Sequence, residues 1–234
     1  MFVILKMGDT MRECAKVYGD FEDWTLKAMD IAPNEVTVIN PKKQQLPELQ
    51  NITGIIITGS HDMVTDRTSW LEDSSAWLRE CAQKDIPVLG VCFGHQLLAQ
   101  AFGGLVDNNI EGPEIGTVGI NLNENAENDA LFGYLPQTFL AHETHTQSVL
   151  QLPKNATVLA YNCHDFCQAF RIGKNIWGVQ FHPEHDTDII REYVLAQREQ
   201  LENTVVTLNE ICETPYANSI IKKFVQLCKT KAKN

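Results

Sequence analysis

The stretch "PVLGVCFGHQLLAQAF" (87–102) narrows the choice of fold more than any other part of the chain. A solid apolar run of strand character passes directly into a segment with helical spacing. Gly90 and Gly94 stand two residues to either side of Cys92 at the junction. A strand that turns at once into a helix leaves no room for side chains beside the turn, so glycine is needed there. This is the spacing of a nucleophile elbow with cysteine in the place of serine. The elbow presents Cys92 at the carboxyl end of its strand, where ligands bind in open α/β sheets. The helix N-terminus beneath it favours a thiolate. The Phe93 amide, in the first turn, is free to meet an oxyanion.

The flanking pattern agrees with such a sheet. Apolar runs at 2–7, 35–40, 54–58, 87–91, 117–122, 156–161, 167–172 and 176–181 read as strands. Helix-like segments at 20–30, 69–84 and 93–102 alternate with the earlier ones. Strand–helix–strand alternation predicts an α/β fold, an open and mostly parallel sheet with helices on both faces. The runs from 117 to 181 have short turns and few helices between them, and predict an antiparallel extension of that sheet. Helical spacing returns at 187–203 and 216–229, with Glu213-Thr214-Pro215 between. The expected organisation is one domain over 1–190 and a helical C-terminal extension over 191–234. The lysine-rich end "KTKAKN" reads as a frayed terminus.

A formal net charge of -11 makes the chain a poor partner for nucleic acid or anionic lipid. The N-terminus lacks the apolar length and cleavage site of a signal peptide, and no run approaches a membrane span. Seven cysteines, an odd number without a compact spacing, fit free thiols in a reducing cytoplasm. Cys14, Cys81, Cys212 and Cys228 read as structural, and the four tryptophans as packing, with Trp177 alone near enough in sequence to His182 to approach a pocket.

A cysteine nucleophile needs a base. "WGVQFHPEH" offers His182 at or just past a strand end, with Glu184 two residues on. In an extended segment these two point the same way, so the carboxylate fixes the imidazole tautomer and stabilises its charged form. A metal site is the competing reading, since His142, His145, His164, His182, His185, Cys163 and Cys167 are numerous. "CHDFC" lacks structural zinc spacing and has no second half, so it reads as a turn between strands, and no metal is expected.

Taken together, "PVLGVCFGHQLLAQAFGG" and "WGVQFHPE" resemble the class I (triad) glutamine amidotransferases. The resemblance extends through "YGDFEDW", "GIIITGSHDMV", "GPEIG" and "HTQSVLQLP", roughly residues 1 to 190. It is nearest to stand-alone members related to the amidotransferase half of GMP synthetase, a pattern that plant γ-glutamyl peptidases share. The resemblance implies a flavodoxin-like sheet and a Cys92–His182–Glu184 triad. It implies that Gly59 or Ser60 joins Phe93 in holding the oxyanion, and that Gln96 lines a glutamine pocket. Thr144 and His145 match the segment that closes over substrate. His61 stands where the family often has proline, and Gln147 where it has an acid, which keeps substrates other than free glutamine open.

The implied reaction is hydrolysis of the γ-amide of glutamine to glutamate and ammonia, with no cofactor. The chain carries no phosphate loop or other nucleotide fingerprint, so the resemblance implies that ammonia passes to a separate synthase subunit. Two further readings remain: a γ-glutamyl peptidase or hydrolase acting on a small γ-glutamyl compound, and a catalytically idle regulatory protein of the same fold.

Overall fold

The computed structural model describes residues 1–232 of the chain. Strands β1 (Phe2–Leu5), β2 (Val36–Ile39), β3 (Gly54–Ile57) and β4 (Val88–Val91) run parallel. β1, β3 and β4 are buried at every position, as strands covered on both faces must be. β2, at the sheet edge, is only partly covered. Helices α1 (Arg12–Tyr18), α2 (Phe21–Met29), α3 (Ser69–Gln83) and α4 (Phe93–Ala101) lie between and after them.

Seven more strands follow: β5 (Leu105–Asn108), β6 (Glu114–Leu122), β7 (Thr138–His145), β8 (Gln147–Gln151), β9 (Ala156–Tyr161), β10 (Ala169–Ile172) and β11 (Ile176–Val179). The main sheet has the order β2-β1-β3-β4-β11-β10-β9-β6-β7, and β5 pairs with β8 in a separate ribbon. The antiparallel extension is real for β6, β7, β9 and β10. The sequence pattern groups 176–181 with that extension, but β11 lies parallel to β4, with Val179 opposite Val91. Its apolar residues, buried throughout, suit a central place.

Period-two alternation splits the core across the sheet. Phe2, Ile4, Ile56, Leu89 and Trp177 face one side with Met29 of α2 and with Ile220, Ile221 and Phe224. Val3, Leu5, Ile55, Ile57 and Val88 face the other, against Leu78 of α3 and Leu97 and Leu98 of α4. The residues 220–224 belong to a C-terminal helix that therefore lies directly on the sheet.

The helix expected over 187–203 is shorter. α5 spans Thr187–Ala196 and gives way to a 3-10 turn at Arg198–Gln200. Asn203 then caps α6 (Thr204–Glu210), its side chain accepting from the Val205 and Val206 amides. α7 spans Pro215–Lys231, with proline in the first turn where no amide hydrogen is needed. The end expected to fray, from residue 229, is helical through Lys231; Lys233 and Asn234 lie outside the described residues. Among the described residues no helix is long and apolar enough to cross a membrane.

Candidate active site

Three adjacent parallel strands, β3, β4 and β11, end side by side. Gly59 and Ser60 follow β3, Cys92 follows β4, and His182 follows β11, so the topology alone gathers them. Cys92 has φ 50 and ψ -102, a left-handed backbone for a residue with a Cβ. Such a residue costs about 1–3 kcal/mol and persists only where its surroundings fix it. Here the Cys92 amide donates to the Val179 carbonyl at 2.8 Å, tying the elbow to β11. A Cβ on Gly90 would lie 2.4 Å from the Gly94 carbonyl oxygen, and one on Gly94 would lie 2.6 Å from that of Ile57. Both glycines are thus required by close backbone approach.

The His182 amide donates to the His142 carbonyl at 2.9 Å. Its Nδ1 lies 2.8 Å from Glu184 Oε1. The sequence predicts this pair in an extended segment; instead residues 183–184 form a turn, closed by the His185 amide on the His182 carbonyl at 3.3 Å. Proline suits the second place of such a turn. Asn218 of α7 clamps it, its Nδ2 donating to the carbonyls of Pro183 at 2.9 Å and His185 at 2.8 Å.

The His182 ring is buried and stacks on His185 at 4.0 Å between centroids. Burial opposes its charge, but the Glu184 carboxylate and the Cys92 sulfur beside it prevail and push its pKa up to about 10. Burial and the neighbouring His182 hold His185 well below the ordinary histidine range, so it stacks as a neutral ring.

Cys92 and His182 open on a cavity of about 340 Å³. Ser60, Gln96, Thr144 and His145 line it too. Glu184 stands behind His182 and does not reach the wall. Gly59 also stays out of it, yet a Cβ there would sit 3.1 Å from His182 Cε1, so glycine gives the imidazole its space. The Phe93 side chain is buried and stacked on Trp70, 6.2 Å between centroids, which leaves only its backbone for the site. Gln96 donates from Nε2 to the Gln147 carbonyl at 2.6 Å and to Gln180 Oε1 at 3.0 Å. Trp177 does not reach the cavity; its Nε1 donates to Asp129 and its ring meets Phe224 edge-on.

Sequence reasoning misses Phe21, Tyr193, Gln197 and Asn218. Phe21, Tyr193 and Gln197 are in the cavity wall. Tyr193 OH lies 2.7 Å from Thr10 Oγ1 and 3.3 Å from His61 Nε2. Gln197 Nε2 donates to Thr144 Oγ1 at 2.7 Å. The one available signal is the four-residue spacing of Tyr193 on α5 and Gln197 at its C-terminal cap.

Two buried groups hold three ligand-type side chains each: His182, Glu184 and His185, and Glu114, Glu143 and His145. In the first, Glu184 Oε1 is the partner of the His182 ring. In the second, Glu114 accepts from Asn162 at 2.6 Å and Gln168 at 2.8 Å, and lies 3.2 Å from His145 Nε2. Amide donors aimed at both of its oxygens suit a hydrogen-bonded carboxylate. The "CHDFC" segment forms the connection between β9 and β10, with Cys167 buried and Cys163 exposed.

The family model for Glutamine amidotransferase class-I matches residues 17–198. The chain belongs to that family. It is 32% identical over 160 residues to gamma-glutamyl peptidase 4 of Arabidopsis thaliana, 67% of this chain and 63% of the peptidase. The match therefore spans less than two thirds of that relative's length. The chain is 30% identical over 167 residues to a glutamine-hydrolyzing GMP synthase subunit of Saccharolobus solfataricus, 71% of this chain and 85% of the subunit. The fold is that of a solved glutamine amidotransferase from Thermotoga maritima, with a TM-score of 0.71, 20% identity, and coverage of 99% and 97%.

Proposed function

We propose that the chain is an amide hydrolase that cleaves the γ-amide of glutamine through Cys92, His182 and Glu184. One observation carries this reading: an imidazole 2.8 Å from a buried carboxylate shares a cavity wall with a strained, elbow-held thiol. Cys92 attacks the γ-carbonyl carbon as thiolate. The amides of Phe93 and of Gly59 or Ser60 receive the oxyanion, each such donor being worth about 10²–10³ in rate. His182, charged and oriented by Glu184, gives its proton to the departing nitrogen, and ammonia leaves. It then takes a proton from water, which attacks the γ-glutamyl thioester; glutamate is released and the thiol restored. The step needs no metal or organic cofactor. Gln96, Thr144 and His145 form the substrate wall. Residues 1–190 carry the chemistry, and the extension beyond 190 adds Tyr193, Ala196 and Gln197 to one side of the cavity.

Two acceptor arrangements fit. The likeness to a GMP synthase subunit supports a separate synthase subunit that takes the ammonia. The likeness to a γ-glutamyl peptidase supports a second reading, in which the leaving group is the amine of a small γ-glutamyl compound. Neither reading involves nucleic acid or membrane. Seven unpaired cysteines support a reducing, cytoplasmic setting.

Acid quenching during turnover of glutamine or a γ-glutamyl dipeptide, followed by peptide mapping, tests the covalent step. A γ-glutamyl adduct on the Cys92 peptide is expected. Turnover with the adduct on another residue would contradict the assignment. Unaided turnover of the dipeptide at a rate that no synthase increases would favour the peptidase.

A further inference from the structure

A γ-glutamyl substrate brings a cation into the site, its α-ammonium group, and an ammonium taken out of water without a countercharge is costly. Several acids lie near the cavity, and most of them are spoken for. Glu184 stands behind His182 and engages its ring. Glu114 accepts from Asn162 and Gln168 and faces His145. Glu143, fully buried, is pushed well up by burial and by the nearby Glu114, which keeps it an uncharged acid. None of these three reaches the cavity wall. Gln147 does, but it is neutral, and its Nε2 donates to Thr65 Oγ1 at 2.9 Å and to Asn108 Oδ1 at 3.4 Å.

Asp62 is the one carboxylate in the wall among the described residues. Burial opposes its charge, but hydrogen bonds from Lys42 and Ser60 prevail and hold its pKa below the ordinary carboxylate range. It is therefore ionised at neutral pH. Both bonds fall on the same oxygen: Ser60 Oγ donates to Oδ2 at 2.6 Å, and Lys42 Nζ forms an ion pair with it. Ser60 Oγ also accepts from the Asp62 amide at 3.1 Å, so the carboxylate is held in a fixed orientation. Its Oδ1 accepts from no group among the described residues. Each oxygen of a carboxylate has lone pairs for further donors. Lys42 lies outside the wall, its Nζ 4.9 Å from the centre of the Trp70 ring, and leaves the cavity side open.

We propose that Asp62 Oδ1 receives the α-ammonium group of the γ-glutamyl substrate, and that this contact makes the site selective for substrates that carry that group. The inference rests on the hydrolase reading for turnover but not for binding. Position supports it. Asp62 follows closely on Gly59 and Ser60, the loop that would hold the oxyanion, and only a few bonds separate the γ-carbonyl from the α-nitrogen. Lys42 offsets the charge of Asp62 at a distance, so the selectivity comes from the contact itself.

The test uses two pairs of compounds whose members differ only in the α-amino group. L-Glutamine is run with the monoamide of glutaric acid, and γ-glutamylglycine with N-glutarylglycine. A hydrogen bond between charged groups corresponds to about tenfold to a hundredfold in affinity. Wild type is expected to favour the amino-bearing member, in whichever pair it turns over, by about tenfold or more in kcat/KM. Asp62→Asn keeps the shape and loses the charge. It is expected to lower kcat/KM for the amino-bearing member about tenfold or more beyond any loss on its partner. A smaller difference in either comparison would overturn the proposal; equal losses on both members would mean that Asp62 only holds the loop of Ser60. Calorimetry on Cys92→Ala separates this failure from that of the hydrolase reading. If wild type turns over neither pair, the hydrolase reading falls. Tighter binding of the amino-bearing ligand by about tenfold or more, lost when Asp62→Asn is added, would still uphold the receptor. Binding without that preference, or no binding of either amino-bearing ligand, would overturn it.

Discussion

The Glu184 carboxylate at 2.8 Å and the nearby Cys92 sulfur raise the His182 pKa against the cost of burial, and that balance has a pH signature. The folded pKa of about 10 lies above the ordinary 6.5. A raised value stabilises the fold fully below about pH 6.5, and the stabilisation is lost as pH climbs toward 10. Glu184→Gln removes the largest raising influence. The Tm gap between wild type and Glu184→Gln is therefore expected to be wider at pH 6 than at pH 10; an equal gap would show that the imidazole is neutral in the fold. The same variant is expected to lower kcat/KM by about 10²–10⁴-fold, as loss of a carboxylate orienter does. Gly94→Ala tests the elbow itself. The added methyl has backbone, not a movable side chain, at 2.6 Å. A loss of about 1–3 kcal/mol in denaturant unfolding is expected, together with slower alkylation of Cys92.

At the scale of elements, the C-terminal helix α7 reaches the chemistry. Phe224 and its neighbours seat it on the sheet, and Asn218, on the same helix, holds the turn that carries His182 and Glu184. Asn218→Ala is expected to lower kcat about tenfold or more with little change in KM, beyond its stability cost of about 1–3 kcal/mol. Ser219→Ala is the control: its hydroxyl bonds Tyr134 and the Tyr216 carbonyl, away from the turn. Equal kcat losses in the two would mean that α7 acts only through stability. This coupling was not legible in the sequence, because residues 183–185 and 218 meet through packing and share no local pattern. The placing of Cys92 and His182 at neighbouring strand ends was legible, since glycine spacing and strand ends are local, whereas the Glu184 carboxylate reaches His182 through a turn and not through the extended two-residue offset. β7 escaped notice for a different reason. Its buried positions include His142, Glu143 and His145, so burial there does not follow hydrophobicity. β5 escaped because three of its four residues are exposed.

For the whole molecule, nine strands in one sheet and helices on both faces leave the thiols sorted by depth. Cys163 and Cys212 are exposed, and Cys92 meets the cavity; Cys14, Cys81, Cys167 and Cys228 are buried elsewhere. Burial also pushes the Cys81 and Cys228 thiols up to about 12. A thiol reagent is thus expected to titrate Cys92, Cys163 and Cys212 in the native protein and all seven after unfolding. A native count that is unchanged by Cys92→Ala would show a closed cavity. Thiol-dependent amide hydrolysis by this family member is measured most directly as glutamate release. Purified wild type and Cys92→Ala are run side by side on L-glutamine and a γ-glutamyl dipeptide. The account predicts release from at least one substrate by wild type and none by the variant. Release that persists undiminished in Cys92→Ala would contradict it.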